Sequence, residues 1–292
     1  MSDSELSIRK SELSDLIVEV LRRDPFLCYV QGYHDICQVF LLVLDPPVRA
    51  PALTRLSLLR IRDFMLPNFS ATTAQLCLIP DIIKAADPTL REHLAGTKPY
   101  YALAGTLTMY AHNIEGYRDI VRLFDVLLAR EPVFSVYLFA QIVLSRREEL
   151  LETPNDDTTM LGFIVSKIPK DLDLELLISD AITLFDRYPP SILRAWRRIS
   201  SSSCLKTARS VDSCATQSLE DGRHFFEIQA NELRRAEKWN KIVETVLSYR
   251  KKAGAVGLAA VLVGVAAVYL HKHPAPMNYL ASAFWRWMGS GA

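Results

Sequence analysis

The residues with the most chemical potential are 29–35, which read Tyr-Val-Gln-Gly-Tyr-His-Asp. Gln31 lies between two strongly apolar helical segments, where a polar side chain needs a reason to be. A glutamine placed just before a glycine, at the mouth of a buried helix, can be held outward by a fixed backbone. Glutamines held this way orient a water molecule or meet a phosphate-like transition state. The same position also suits a plainer purpose, a helix-entry turn whose glutamine satisfies local backbone groups.

His34, Asp35 and Cys37 follow at once and raise two other chemistries. A metal site is poorly supported, because no second His/Cys cluster has ligand spacing. Cys37 stands about one helical turn after His34, but a nucleophile and its base also need an orienting third group. No phosphate-cradling glycine loop, GxSxG or HExxH pattern occurs. His112, on an apolar segment, reads as a core or helix-end histidine. Asp125, in Arg122-Leu-Phe-Asp125, reads as a structural ion-pair partner. No cofactor or metal held by the chain itself is expected.

These residues need a scaffold, and the rest of the chain predicts an all-α one. Of 292 residues, half are hydrophobic and 23% charged, which suits a packed core. The net charge of +1 argues against a nucleic-acid surface. The five cysteines, Cys28, Cys37, Cys77, Cys204 and Cys214, form no CxxC pair and no even framework, so a reducing, cytosol-facing body is expected. Residues 1–10 read as neither a signal nor a transit peptide.

Leu13, Leu16, Ile17, Val20 and Leu21 give the one-face spacing of an amphipathic helix over 11–23, ended by Asp24-Pro25. A second helix is predicted from Tyr33 to Leu44. Its run Val39–Leu44 is apolar on every side, as in a central core helix. Pro51 is expected to start the next. Further helices are predicted near 72–86, 100–113, 117–129, 132–151, 158–168 and 172–187, with Pro80 kinking the first of these. No stretch shows sustained period-two alternation between hairpin turns.

Composition then shifts. The body is expected over 1–195. Ser200–Ser203 open a polar stretch, so 196–222 reads as a disordered linker. Residues 223–252 read as a basic, exposed helical stalk. Residues 253–270 carry no charge. As a helix they extend roughly 27 Å, close to a hydrocarbon core of about 30 Å. Arg250-Lys251-Lys252 is the stronger positive flank, which places the folded body in the cytosol and leaves 271–292 as a short lumenal tail. A tail-anchored, single-pass chain is expected, in a thin bilayer such as that of the endoplasmic reticulum.

Tyr29-Val-Gln31-Gly32 before an apolar helix resembles the YxQG motif of TBC-domain proteins, the GTPase-activating proteins of Rab GTPases. The stretch 122–132, Arg-Leu-Phe-Asp-Val-Leu-Leu-Ala-Arg-Glu-Pro, is similar to a later segment of that family. Ile61–Met65, Ile168–Leu172 and Tyr188–Ser191 resemble segments of the subgroup anchored in the endoplasmic reticulum, whose architecture agrees with the tail. The resemblance covers about 11–193 and the anchor. It implies a multi-helix TBC-type fold and a Rab partner in its GTP-bound state, in traffic between endoplasmic reticulum and Golgi. GTP and Mg²⁺ would belong to that partner.

The resemblance also implies Gln31 as a glutamine finger that orients the attacking water. Tyr29, Gly32, Tyr33 and Asp35 are the supporting or partner-contacting residues. The family pairs this glutamine with an arginine in an IxxDxxR segment further upstream; an arginine supplied in trans is worth about 10³ to 10⁵ in rate. That segment does not occur before Gln31, and Arg9, Arg22 and Arg23 do not match it. The chain is therefore expected to be N-terminally shortened relative to the family. A catalytically weak Rab-binding scaffold is the alternative this leaves. Gly105 stands where the subgroup has a large aromatic residue, which predicts a thinner core near 105–109.

Overall fold

A computed structural model of the chain describes residues 2–169, 171–250, 263, 264 and 267. Among them every regular element is helical. In chain order these are α1 (Asp3–Arg23), α2 (Tyr33–Val43), α3 (Pro46–Leu59), α4 (Ser70–Leu76), α5 (Leu78–Ala86), α6 (Pro88–His93), α7 (Leu103–Leu107) and α8 (Tyr117–Ala129). They continue as α9 (Phe134–Ser145), α10 (Arg147–Glu152), α11 (Thr158–Ser166), α12 (Leu174–Arg187), α13 (Cys204–Thr207), α14 (Val211–Thr216) and α15 (Leu219–Arg250). Short 3-10 turns join several of them. The first compact unit runs from Met1 to Leu233; the second begins at Arg234, and its described residues 234–245 are helical and exposed.

The helices follow the apolar spacing with local exceptions, several of which caps and prolines explain. α1 buries Leu16 and Val20, with Leu13, Ile17 and Leu21 packed against the same core. It begins eight residues earlier than the apolar pattern, because a Ser2–Glu5 capping box closes its N-terminus. α3 starts at Pro46, not Pro51: prolines at the first helical positions lack only donors that would be orphaned there. The helix expected over 72–86 is two, α4 and α5, broken at Cys77 because Pro80 falls in the first turn of the second.

α9 is the central helix, rather than α2. It buries Phe134, Tyr137, Leu138, Phe139, Ile142 and Val143 around its circumference, and packs against α5, α7 and α12. α2 buries Tyr33, Ile36, Cys37, Val39, Phe40 and Leu41 but leaves Leu42 and Val43 half exposed where the helix ends at the surface.

The expected linker is folded. Ser202, Ser203, Cys204, Leu205 and Ala208 are buried, and α13 and α14 form within 196–222. The cause is a buried charged pair of neighbours, Arg62 and Asp63, which needs polar partners. Asp63 accepts from Gln75 Nε2 (2.7 Å), Ser203 Oγ (2.5 Å), the Cys204 N–H (3.1 Å) and Gln229 Nε2 (3.0 Å). Arg62 donates to the carbonyls of Leu58 (3.0 Å) and Ser202 (2.6 Å) and to Thr207 Oγ1 (2.6 Å). Within the serine run that looks like a linker, Ser203 thus serves the buried carboxylate and Ser202 the buried guanidinium.

The first part of the expected stalk also belongs to the body. Phe226 and Gln229 are buried, Phe226 packs on Phe26 with ring centroids 4.7 Å apart, and Arg223 Nε donates to Asp24 Oδ1 at 2.7 Å. The predicted span 253–270 lies almost wholly outside the described residues, as does the tail 271–292. Among the described residues no helix is long and apolar enough to cross a membrane.

Candidate functional site

The approach to Gln31 is a tight turn. The Tyr33 N–H donates to the Val30 carbonyl at 3.0 Å, and Gly32 has φ +99°, ψ −14°. These are the dihedrals of the third residue of a type II turn, which requires a positive φ and so favours glycine. Gln31 occupies the outer corner of that turn and its side chain is exposed. Space also dictates the glycine: a Cβ at position 32 would lie 2.8 Å from Thr108 Cγ2 and 3.0 Å from Leu107 Cδ2.

The other expected residues divide between surface and core. Tyr29 is 51% exposed, and its hydroxyl meets His34 Nδ1 at 2.9 Å. Tyr33 is fully buried, edge-on to Tyr29, with its hydroxyl 2.8 Å from Ser57 Oγ. It anchors the start of α2 to α3 and does not line the groove. Asp35, in the first turn of α2, lies 3.4 Å from His34 Nε2 and 3.3 Å from His112 Nδ1. A carboxylate there also suits the positive end of the helix.

Beside Gln31 opens a groove of about 370 Å³. Val30, Phe69, Leu103 and Leu107 form its apolar side; His34, Asp35, Thr108 and His112 form its polar side. Phe69 is 57% exposed and the His112 side chain 64% exposed. Sequence reasoning placed neither at the site. Both come from segments distant in the chain, and His112 lies beyond the end of α7, not on a helix. Asp125 is exposed, while Arg122 gives its donors to Glu175 at 2.6 and 3.0 Å.

The surroundings of Cys37 are those of a structural thiol. The residue is fully buried in α2, and burial pushes its thiol up to about 12. Among the described residues no cluster of His, Cys, Asp or Glu is placed to hold a metal. What the site offers is an exposed amide on a rigid corner, next to a half-apolar groove.

Near Gly105 the core is not thinned. The ring of Tyr110 lies where a side chain at 105 would go: a Cβ there would stand 3.2 Å from Tyr110 Cε1 and 3.3 Å from Phe139 Cδ2. The aromatic bulk is supplied from five residues further on.

Fold and site together define an all-α domain of the TBC type. The chain belongs to the Rab-GTPase-TBC domain family, whose profile matches residues 2–151. It is 36% identical over 229 residues to the GTPase-activating protein gyp10 of Schizosaccharomyces pombe, a match covering 77% of this chain and 61% of that protein. It is 37% identical over 186 residues to human TBC1 domain family member 20, covering 63% of this chain and 46% of that protein. A more distant relative, GTPase-activating protein GYP8 of Saccharomyces cerevisiae, is 24% identical over 177 residues, covering 50% of this chain and 35% of that protein. The chain thus spans between about half and three fifths of the length of the first two relatives.

Proposed function

We propose that this chain is a GTPase-activating protein for a Rab-type small GTPase in its GTP-bound state, with Gln31 as the group that enters the partner's site. The observation that carries this reading is the exposed Gln31 amide at the corner of a glycine-locked turn, in a chain of the Rab-GTPase-TBC domain family. Two relatives are named as GTPase-activating proteins, which supports the same reading. GTP hydrolysis leaves little covalent chemistry to the protein. Catalysis is the placing of the attacking water and the stabilisation of charge on the transferred phosphoryl group. An amide both donates and accepts, so Gln31 can hold a water in line with the γ-phosphate, where GTP and Mg²⁺ are the partner's own.

A second reading is favoured by the groove itself. Among the described residues that line it there is no arginine or lysine; its only basic groups are His34 and His112. On that reading the chain binds the GTP-loaded partner without accelerating it. The deciding experiment is single-turnover GTP hydrolysis by a panel of Rab GTPases with the full chain in detergent, alongside binding assays with GTP-loaded and GDP-loaded forms. Acceleration of at least one Rab supports the activator. GTP-dependent binding at the intrinsic hydrolysis rate supports the scaffold. No binding to any Rab rejects both.

The proposed setting is the cytosolic face of the endoplasmic reticulum or an early secretory membrane, in traffic to the Golgi, with residues 253–270 as the anchor. The uncharged run and its basic flank support this. Carbonate extraction of membranes tests it: the chain should stay with the pellet, and release into the supernatant would reject a spanning helix.

A further inference from the structure

Residues Met109 and Tyr110 are the only described residues other than glycine with positive φ, at 51° and 68°. Both are buried. Two successive bulky residues in the left-handed region are unfavourable and persist only where surrounding contacts over-determine them. Those contacts are visible. The Tyr110 N–H donates to the Gly105 carbonyl at 2.7 Å, its hydroxyl donates to the Ser135 carbonyl at 2.6 Å, and its ring fills the space left by Gly105.

The consequence falls on the glutamine turn. The chain reversal directly follows Leu107, the last residue of α7, and Thr108, which stand against Gly32 at distances that exclude any side chain there. It also carries His112 to within 3.3 Å of Asp35, three residues after Gly32. One strained turn therefore grips the Gln31 corner at both its glycine and its following helix.

We propose that this turn, residues 107–112, positions Gln31 for catalysis, with Tyr110 and His112 as positioning residues; this rests on the reading of Gln31 given above. Neither need touch the partner's nucleotide. Their effect passes through Gln31, whose placement decides whether a water sits in line, and a misplacement of about 1 Å can cost on the order of a hundredfold in rate.

The test uses the full chain in detergent with a GTP-loaded Rab that it accelerates. Tyr110→Phe keeps the ring and removes the hydroxyl anchor. His112→Ala removes an exposed contact and keeps the fold intact even if Tyr110→Phe does not. Each is measured alone and combined with Gln31→Ala. Each single variant should lower kcat by about tenfold or more with KM nearly unchanged. Neither should lower the rate further once Gln31 is alanine, because the group they position is gone. Losses that persist in the Gln31→Ala background, or that fall on KM alone, overturn the positioning role. If Gln31→Ala by itself leaves hydrolysis unchanged, the activator reading fails first and the positioning role with it.

Discussion

Gly32 shows how much of the site rests on one missing methyl group. Its positive φ costs a residue with a Cβ about 1–2 kcal/mol, and Leu107 and Thr108 leave no room for that Cβ. Gly32→Ala should therefore lower the thermal midpoint and reduce activation together, as measured by a melting curve and a hydrolysis assay on one preparation. The cysteines give a second check. In the native chain an alkylating reagent at mildly alkaline pH should label the exposed Cys28 and leave Cys37 and Cys204 unmodified, read out by mass spectrometry. Burial holds both protected thiols well above their ordinary range. Rapid labelling of Cys37 would show that the start of α2 is not packed as described. At this scale the turn at Gln31 and Gly32 was legible in the sequence, because a turn is a local event. His112 and Phe69 were not: nothing local marks a residue that reaches the site from another segment. Tyr29 and Tyr33 looked alike as letters, yet the helix start turns one outward and the other into the core.

Among the elements, the segment 199–230 was the least legible. Serine-rich composition signals solvated chain, and only the buried Arg62–Asp63 pair reveals why these serines are inside. That pair lies well over a hundred residues away in sequence, so no periodicity could have announced it. A fragment ending at 195 would leave Arg62 and Asp63 without Ser202, Ser203, Cys204, Thr207 and Gln229. It should be poorly soluble or unfolded by circular dichroism, whereas a fragment ending at 233 should melt cooperatively. Asp63→Ala should cost on the order of 3 kcal/mol, since several buried donors lose their acceptor at once. The cap of α6 allows a milder prediction. Asp87 accepts from the Leu90 N–H at 2.9 Å and pairs with Arg147, and the backbone bond above all holds its carboxyl below the usual range. Asp87→Ala should cost about 1 kcal/mol at neutral pH. A depressed carboxyl contributes stability above its unfolded pKa and loses it as pH falls through the lowered folded value. The difference between variant and parent should accordingly shrink only in strong acid.

For the molecule as a whole, the all-α class followed from helical spacing and from proline positions, and the fold agrees. Relative helix order inside the core did not follow. α9 is central because large apolar residues cover most of its circumference over three turns, while α2, equally apolar at its end, reaches the surface after Leu41. The family was legible from a few short motifs, and the family profile matches residues 2–151. The central claim is that Gln31 acts on a bound GTPase. Its most direct test is single-turnover GTP hydrolysis by a responsive Rab with the full chain and with Gln31→Ala. The account predicts a rate that falls toward the partner's intrinsic value while GTP-dependent binding of the Rab is kept. An unchanged rate in the variant would contradict it.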